Sequence, residues 1–146
     1  VSAWVSYLVA KRQAKDQNRI FLEQSVYGLL DISLQYPMVE NDEFCQSYTN
    51  RGADDENRMR YENYCCYVFN LLEKTYQYFK GDKEQIDEFI GFNELVIRHR
   101  KWWHVDSCNI DGYNREFRAV VDQVINAFNA RNEHEQKGAT DRGIRG

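Results

Sequence analysis

One aromatic and apolar run in the middle of the chain, residues 61–79, constrains the fold more than any other stretch. It reads YENYCCYVFNLLEKTYQYF. Large side chains recur every three or four residues, and further apolar side chains widen this stripe until the segment is apolar on nearly all sides. Such a helix needs neighbours around it, so we expect it at the centre of a bundle. Gly81 is the expected left-handed residue that ends it.

The remaining sequence also predicts helices, so we expect an all-α fold. The chain has 146 residues and one proline, which fits a single domain with a substantial core. No segment alternates apolar and polar residues between turn dipeptides as strands do. We therefore expect a bundle of four long helices and one short helix. The long helices are predicted over residues 13–35, 61–79, 82–104 and 113–128, and the short one over 42–48.

Residues near the predicted helix ends support these boundaries. Proline disfavours helical geometry in the residue before it, so Tyr36-Pro37 should end the first helix. Asn41 is the expected N-cap of the short helix. Asp82 followed by Gln85 predicts a capping box at the start of the fourth helix, residues 82–104.

Apolar stripes on the predicted helices define the expected core and the domain limits. The first helix should face the core with Phe21, Leu22, Val26, Leu29, Leu30 and Leu34. The most buried side chains are expected to include Val68, Leu72, Phe89, Val96, Phe117, Val121 and Val124. Residues 11–130 then form the bundle domain. Residues 131–146 have almost nothing to bury and are expected to form a disordered polar tail.

The chain opens with an uncharged apolar segment, residues 1–10, with the sequence VSAWVSYLVA. This is too short to cross a bilayer, which needs about twenty residues, but it can be the end of a membrane-spanning helix. Aromatic side chains followed by cations are typical of a helix that leaves the membrane on its cytoplasmic side. The expected location is therefore the cytoplasmic face of the inner membrane, with a single-span anchor. The membrane-proximal residues are Trp4, Tyr7, Lys11, Arg12 and Lys15.

The same segment has a second interpretation. Trp4, Tyr7 and Leu8 can instead pack on the bundle as part of an ordinary amphipathic first helix, and the protein would then be cytoplasmic. Residues 11–19 are too polar to pack on the bundle, so this part of the helix is expected to project. Projecting helices next to a membrane commonly pair, which makes a homodimer a possible assembly.

The order of the predicted elements resembles that of small bacterial single-span membrane proteins of unknown function. A possible span runs into a long helix, a short helix follows Tyr36-Pro37, and the helix after the aromatic central one ends in tryptophan. A spacer then leads to Tyr113 and Phe117, the aromatic pair that opens the last helix. The resemblance covers residues 1–128 and implies a fold and an anchor without an activity. We therefore expect an interaction module, a scaffold, sensor or effector with an unknown protein partner.

The most unusual polar stretch is a basic and aromatic patch, residues 98–104, with the sequence RHRKWWH. Cations beside an exposed tryptophan can bind and stack on single-stranded RNA. The candidate binding residues are Arg98, Arg100, Lys101 and Trp102. The patch also resembles the R-x4-6-H motif of HEPN-type ribonucleases, with a polar residue directly after the arginine. The resemblance implies that Arg98 would hold the phosphate and that His104 would do acid-base work. The two residues would act together across a dimer cleft.

The patch has a structural interpretation as well. Cations at the end of a helix complement its dipole, while Trp103 packs inward. In one continuous helix Arg98 and His104 would lie about 120° apart and would not converge. The formal net charge of −4 makes nucleic acid an improbable partner. A ribonuclease is therefore the alternative to the interaction module.

Cysteine and histidine spacing gives no metal-site motif. Zinc sites usually contain C-x2-C or H-x3-H pairs, and neither occurs here. His99, His104 and Cys108 could meet Cys65 or Cys66 around a zinc ion only if the fold brought these distant positions together. Without a local ligand pair, we expect no metal ion and no cofactor. The adjacent cysteines in an apolar helix predict free core thiols. The sequence also lacks a glycine-rich phosphate loop and a nucleophile beside a base, so an enzyme is not indicated.

Overall fold

A computed structural model describes residues 3–105 and 111–143, with side chains as far as residue 139. This part of the chain contains no β-strand, which confirms the all-α class. Its seven α-helices are α1 (Ala3–Gln35), α2 (Asp42–Ser47), α3 (Glu56–Tyr78), α4 (Lys83–Phe89), α5 (Phe92–Arg98), α6 (Arg100–Val105) and α7 (Arg115–Gly143). Two 3-10 helices, Pro37–Glu40 and Tyr48–Asn50, flank α2.

The α3 helix is the centre of the bundle, as its sequence predicts. Its predicted stripe is buried along the whole helix, through Tyr61, Tyr64, Cys65, Val68, Leu71, Leu72 and Thr75. The Asp55 carboxylate caps the N-terminus by accepting a hydrogen bond of 2.9 Å from the Arg58 amide. This bond lowers the pKa of Asp55. A buried face and a capped start therefore both stabilise α3.

The C-terminus of α3 ends in two left-handed residues rather than one. Gly81 has a φ of +73°, as predicted, but Lys80 before it has a φ of +52°. The Gly81 amide donates to the Tyr76 carbonyl and the Lys80 amide donates to the Gln77 carbonyl. These are the two bonds of a Schellman motif, in which the first residue after the helix is left-handed. Lys80, not Gly81, holds that position.

The α1 helix is continuous and ends before Tyr36-Pro37, as predicted, but its core face is narrower than expected. Only Leu22 and Leu29 are buried, and Val26 is half-buried. The prediction was wrong for Phe21, Leu30 and Leu34, which are exposed. The reason is that α1 packs mainly on α3. A helix that packs on one neighbour buries a narrower stripe of side chains than a helix surrounded by several.

The predicted fourth helix, residues 82–104, is three short helices. The first break is at Ile90, which has extended backbone, and at Gly91 after it. The second is at His99, whose φ of −100° and ψ of +17° end α5. The bundle therefore contains three long helices and four short ones in the described residues, not four long and one short. The Asp82 cap on the Gln85 amide is present as predicted.

The last helix, α7, is longer than predicted. It packs on α5, and Phe117, Val121 and Ile125 are fully buried. Val124 and Phe89, which were expected among the most buried side chains, lie only partly buried at the edge of the core. The helix passes the predicted end at residue 128 and includes residues 131–143, where disorder was expected. Residues 131–139 contain no proline and one glycine, Gly138, so little in this sequence stops the helix.

Candidate functional site on the first helix

Exposed apolar side chains are concentrated on α1. The described part of the chain exposes twelve large apolar side chains, and all but Met59 and Val105 are on this helix. Apolar surface grouped in this way on a folded domain makes α1 the candidate site of interaction. The α1 residues are Trp4, Val5, Tyr7, Leu8, Val9, Ile20, Phe21, Tyr27, Leu30 and Leu34.

The N-terminal part of α1 extends beyond the helix on which it packs. Tyr67 contacts Ser25 and Phe79 contacts Arg19, so α1 and α3 are antiparallel. Because α3 ends at Tyr78, residues 3–15 have no such neighbour, and their side chains are all exposed. We call these residues the arm, which is about 20 Å long at the rise of an α-helix. In residues 3–105 and 111–143, no helix is both long and apolar enough to cross a bilayer.

The face of α1 that packs on α3 changes character where α3 ends. Leu22 and Leu29 are buried on this face. At the same three- and four-residue spacing towards the N-terminus it continues through Asn18, Lys15 and Lys11, all exposed. Ammonium groups therefore take the place of apolar side chains once no protein covers the face. Among the predicted membrane-proximal residues, the structure puts Lys11 and Lys15 on this face.

A second stripe of α1 is apolar but uncovered. Ile20, Tyr27 and Leu34 are 53%, 69% and 78% exposed and follow one another at intervals of seven residues. Ile20 precedes Leu22 by two residues, as Tyr27 precedes Leu29, which places the stripe about 160° from the buried face. The described chain thus leaves an apolar seam on the outer side of α1.

The tryptophans of the basic and aromatic patch are in the core. Trp102 and Trp103 are 1% and 0% exposed, and their rings lie 5.2 Å and 4.8 Å from the Phe69 ring. Both point inward because the break at His99 reorients the chain before α6. Trp103 is buried as the structural interpretation predicts, whereas Trp102, predicted as an exposed stacking residue, has no face open to a base.

The cations of the patch are also engaged. The Arg98 guanidinium pairs with the Glu40 carboxylate, while Gln46 donates a 2.9 Å hydrogen bond to the Arg98 carbonyl. Arg100 donates to the Ile97 carbonyl at 2.7 Å and lies over the Phe128 ring. The Lys101 side chain is half-buried. The arginine side chains of the patch therefore contact other parts of the bundle and are not free on the surface.

Glu40 connects three parts of the bundle. Its carboxylate accepts hydrogen bonds from the Tyr64 hydroxyl on α3 and from Arg98 on α5. Burial alone would raise the pKa of Glu40, but the adjacent His99, the Tyr64 hydroxyl and Arg98 together lower it to about 2. The carboxylate is thus ionised at neutral pH and stabilises the packing of the 3-10 helix against α3 and α5.

His99 lies beneath this ion pair and is fully buried. Its Nδ1 is 3.0 Å from the Tyr61 hydroxyl and 3.8 Å from the Cys65 sulfur. Burial raises the pKa of the Cys65 thiol well above its ordinary value, and it raises the pKa of Cys45 to about 11. Both thiols are therefore protonated at neutral pH, and neither is an activated nucleophile.

His104 lies apart from this cluster. It is exposed near the end of α6, and among the described residues no hydrogen bond or ion pair joins it to Arg98. Because the helix breaks at His99, the 120° separation predicted for one continuous helix does not apply.

The cysteines and histidines do not converge on a metal site in the described residues. No group of three or more histidine, cysteine, aspartate or glutamate side chains is close enough there to hold a metal ion. Cys45, Cys65 and Cys66 are free thiols, as predicted. Cys108, the remaining residue of the possible zinc set, lies outside the described residues.

Comparison with known proteins gives no relative. No protein-family model matches the chain, and neither a curated protein nor a solved structure matches it.

Two residues that organise these sites were missed in the sequence. Glu40 is one of several acidic residues near the predicted short helix, and nothing in the sequence singles it out because its partner Arg98 is 58 residues away. Lys80 follows the aromatic run at the place where a helix must end, which is a usable signal for a left-handed residue. Nothing in the sequence near Lys80 indicates that it lines one groove together with the cations of α1.

Proposed function

We propose that the protein is a helical interaction module that works at a membrane through α1. The observation that carries this proposal is the concentration of exposed apolar side chains on that helix, ten of the twelve in the described chain. The rest of the bundle buries its large side chains and holds α1 in place by packing on α3. The module acts as a scaffold, sensor or effector, and the arm determines where it is located.

The composition of the arm supports attachment to a membrane. Trp4 and Tyr7 lie near its tip with their rings stacked at 5.9 Å, and Lys11, Arg12 and Lys15 follow. Aromatic side chains favour the level of the lipid headgroups, and cations favour the anionic surface on the cytoplasmic side. The single-span anchor on the cytoplasmic face of the inner membrane stays a prediction, because no helix of the described residues is long and apolar enough to span a bilayer.

The outer stripe of α1 supports a protein partner, and a second copy of the chain is one candidate. The interval of seven residues between Ile20, Tyr27 and Leu34 is the repeat of a helix that pairs with another helix. Leu30 lies beside this stripe and is also exposed. The predicted homodimer would bury these side chains. Light scattering of the parent and of a Tyr27→Glu variant tests it: a dimer mass for the parent and a monomer mass for the variant are expected.

Flotation with lipid vesicles tests the attachment of the arm. We expect the full chain to float with vesicles, whereas a Trp4→Ala/Leu8→Ala variant should remain with the soluble fraction. Met59→Ala is the matched control, because Met59 is an exposed apolar residue outside α1. If the Trp4→Ala/Leu8→Ala variant floats as well as the parent, the arm is not the point of attachment.

The alternative function is a HEPN-like ribonuclease that uses Arg98 and His104 across a dimer cleft. It is supported by the motif and by the exposure of His104, but the pairing of Arg98 with Glu40 makes the guanidinium less available to a phosphate. Incubation of the protein with a mixed RNA pool is the direct test, with His104→Ala as the comparison. Cleavage by the parent alone would favour the ribonuclease over the interaction module.

A further inference from the structure

A groove lies between the arm of α1 and the turn that follows α3. Its volume is about 750 Å³, and none of the residues that line it is acidic. The chain as a whole has a formal net charge of −4, so the groove is a positively charged region of a protein whose net charge is negative. We call it the cationic groove after five of its lining residues, which are Lys11, Arg12, Lys15, Arg19 and Lys80.

Most of the cations that line the groove have no acidic partner in the described part of the chain. Arg19 pairs with Glu23 at 3.1 Å and lies over the Phe79 and Phe89 rings. For the other four cations, no carboxylate of the described chain lies within ion-pair distance. Lys11 and Lys15 are also four residues apart on one helix, a spacing at which like charges repel. An anion in the groove would relieve this repulsion.

Lys80 enters the groove from a strained position. Its φ of +52° is in the left-handed region, which glycine occupies without cost and a lysine does not. A residue that holds an unfavourable backbone conformation commonly does so at a functional site. Here the result is that a lysine from the turn after α3 lines the same groove as the cations of α1.

We propose that the cationic groove binds the phosphate groups of anionic lipids at a membrane surface. This inference rests on the attachment of the arm to a membrane proposed above, and it assigns the headgroup chemistry that the module selects. The positive charges of the groove attract anions. Five cations can contact several phosphate groups of a membrane surface at once, whereas a single carboxylate would balance only one of them.

The apolar tip of the arm favours a lipid over a soluble anion. Trp4 and Leu8 precede Lys11 and Lys15 at three- and four-residue spacing, so all four lie along one side of the helix. Trp4 is 66% exposed. Apolar side chains that enter the headgroup region would bring the cations behind them to the depth of the phosphates. A free phosphate ion or a nucleic acid would leave the tip uncovered.

Vesicle binding of the full chain tests the inference, with phosphatidylcholine vesicles that contain or lack phosphatidylserine. Lys80→Gly removes a cation and relieves the backbone strain, so a loss of binding cannot be attributed to unfolding. Lys11→Gln/Lys15→Gln removes two cations from the arm. The matched control is Arg115→Gln/Lys137→Gln, which makes the same change in net charge at two exposed positions outside the groove. Inorganic phosphate is added as a competitor in a further arm.

We expect tighter binding to the vesicles that contain phosphatidylserine, and weaker binding as salt is added. Each cation removed from the groove should weaken binding about fivefold, while the control variant should bind like the parent. Equal binding to both kinds of vesicle, or equal losses in groove and control variants, would overturn the inference. Competition by phosphate at the same concentration as lipid phosphate would show a site for a soluble anion and would also overturn it.

The result also separates this inference from the proposed attachment of the arm. Binding that depends on Trp4 and Leu8 but not on lipid charge would leave the arm as the membrane contact and remove the cationic groove from it. Loss of binding in the groove variants alone, with the Trp4→Ala/Leu8→Ala variant unaffected, would support the groove and contradict the role of the tip.

Discussion

The Tyr67 hydroxyl lies where a side chain on Gly28 would begin. A Cβ atom on Gly28 would be 2.5 Å from this oxygen and 3.4 Å from the ring carbon that bears it. The same hydroxyl donates a 2.7 Å hydrogen bond to the Ser25 carbonyl. The absence of a side chain at Gly28 thus allows α3 to make a hydrogen bond to the backbone of α1.

This relationship predicts a coupling between the two positions. Gly28→Ala should gain about 1 kcal/mol from helix propensity but displace the Tyr67 hydroxyl, whose hydrogen bond contributes about 0.5–1.5 kcal/mol. We therefore expect Gly28→Ala alone to change the free energy of unfolding by no more than about 0.5 kcal/mol in either direction. In a Tyr67→Phe background, where the clashing oxygen is absent, the same change should stabilise by about 0.5–1 kcal/mol. Urea unfolding of the four proteins measures the coupling, and additive effects would contradict it.

The core of α3 gives a second prediction. Leu72 is fully buried, whereas Leu34 on the outer stripe of α1 is 78% exposed. Leu72→Ala should destabilise the protein by about 2–5 kcal/mol, the range for a large-to-small change in a packed core. Leu34→Ala is the matched control and should change the free energy of unfolding by less than about 0.5 kcal/mol in dilute solution. A loss below about 1 kcal/mol for Leu72→Ala would show that the predicted stripe is out of phase.

The central helix could be predicted from the sequence because its pattern of large and small residues lies within one continuous segment. The spacing of large residues from Tyr61 to Phe79 fixes which side chains are buried, and Asp82 with Gln85 marks the next helix start. The break at His99 could not be predicted in this way, since neither glycine nor proline is near it. The break brings both Trp102 and Trp103 onto Phe69, a contact between distant parts of the chain that no local spacing indicates.

The candidate site was predictable to the same extent. Membrane-proximal cations could be identified in the sequence, because Lys11, Arg12 and Lys15 directly follow an apolar segment. That Lys80 joins them depends on the antiparallel packing of α1 on α3, which no spacing reveals. The pairing of Glu40 with Arg98 likewise depends on packing between distant parts of the chain and could not be predicted from residue spacing.

The pKa of Glu40 predicts a pH dependence of stability. It falls from an ordinary value of 4.5 to about 2 in the folded protein, so the carboxylate stabilises the fold above pH 4.5. This stabilisation is lost as the pH falls from 4.5 to 2. At about 1.4 kcal/mol per pKa unit, and with a reduction for partial exposure, we expect about 2 kcal/mol.

A Glu40→Gln variant measures this contribution. Its free energy of unfolding should be lower than that of the parent at neutral pH, and the difference should shrink through the same acidic range. Glu135→Gln, a change at an exposed glutamate of α7, is the control and should follow the parent throughout. A difference that stays constant from neutral pH to pH 2 would show that the charge of Glu40 is not responsible.

Asp122 and Trp103 give the last prediction. The indole N–H of the buried Trp103 donates a 2.9 Å hydrogen bond to the Asp122 carboxylate on α7. Asp122→Ala would leave this donor unsatisfied in the core, at a cost of about 1–3 kcal/mol in the free energy of unfolding. Asp122→Asn should cost less, because its amide oxygen can accept the same bond. Equal losses for both variants in urea unfolding would mean that the negative charge, rather than the acceptor, stabilises the contact between α6 and α7.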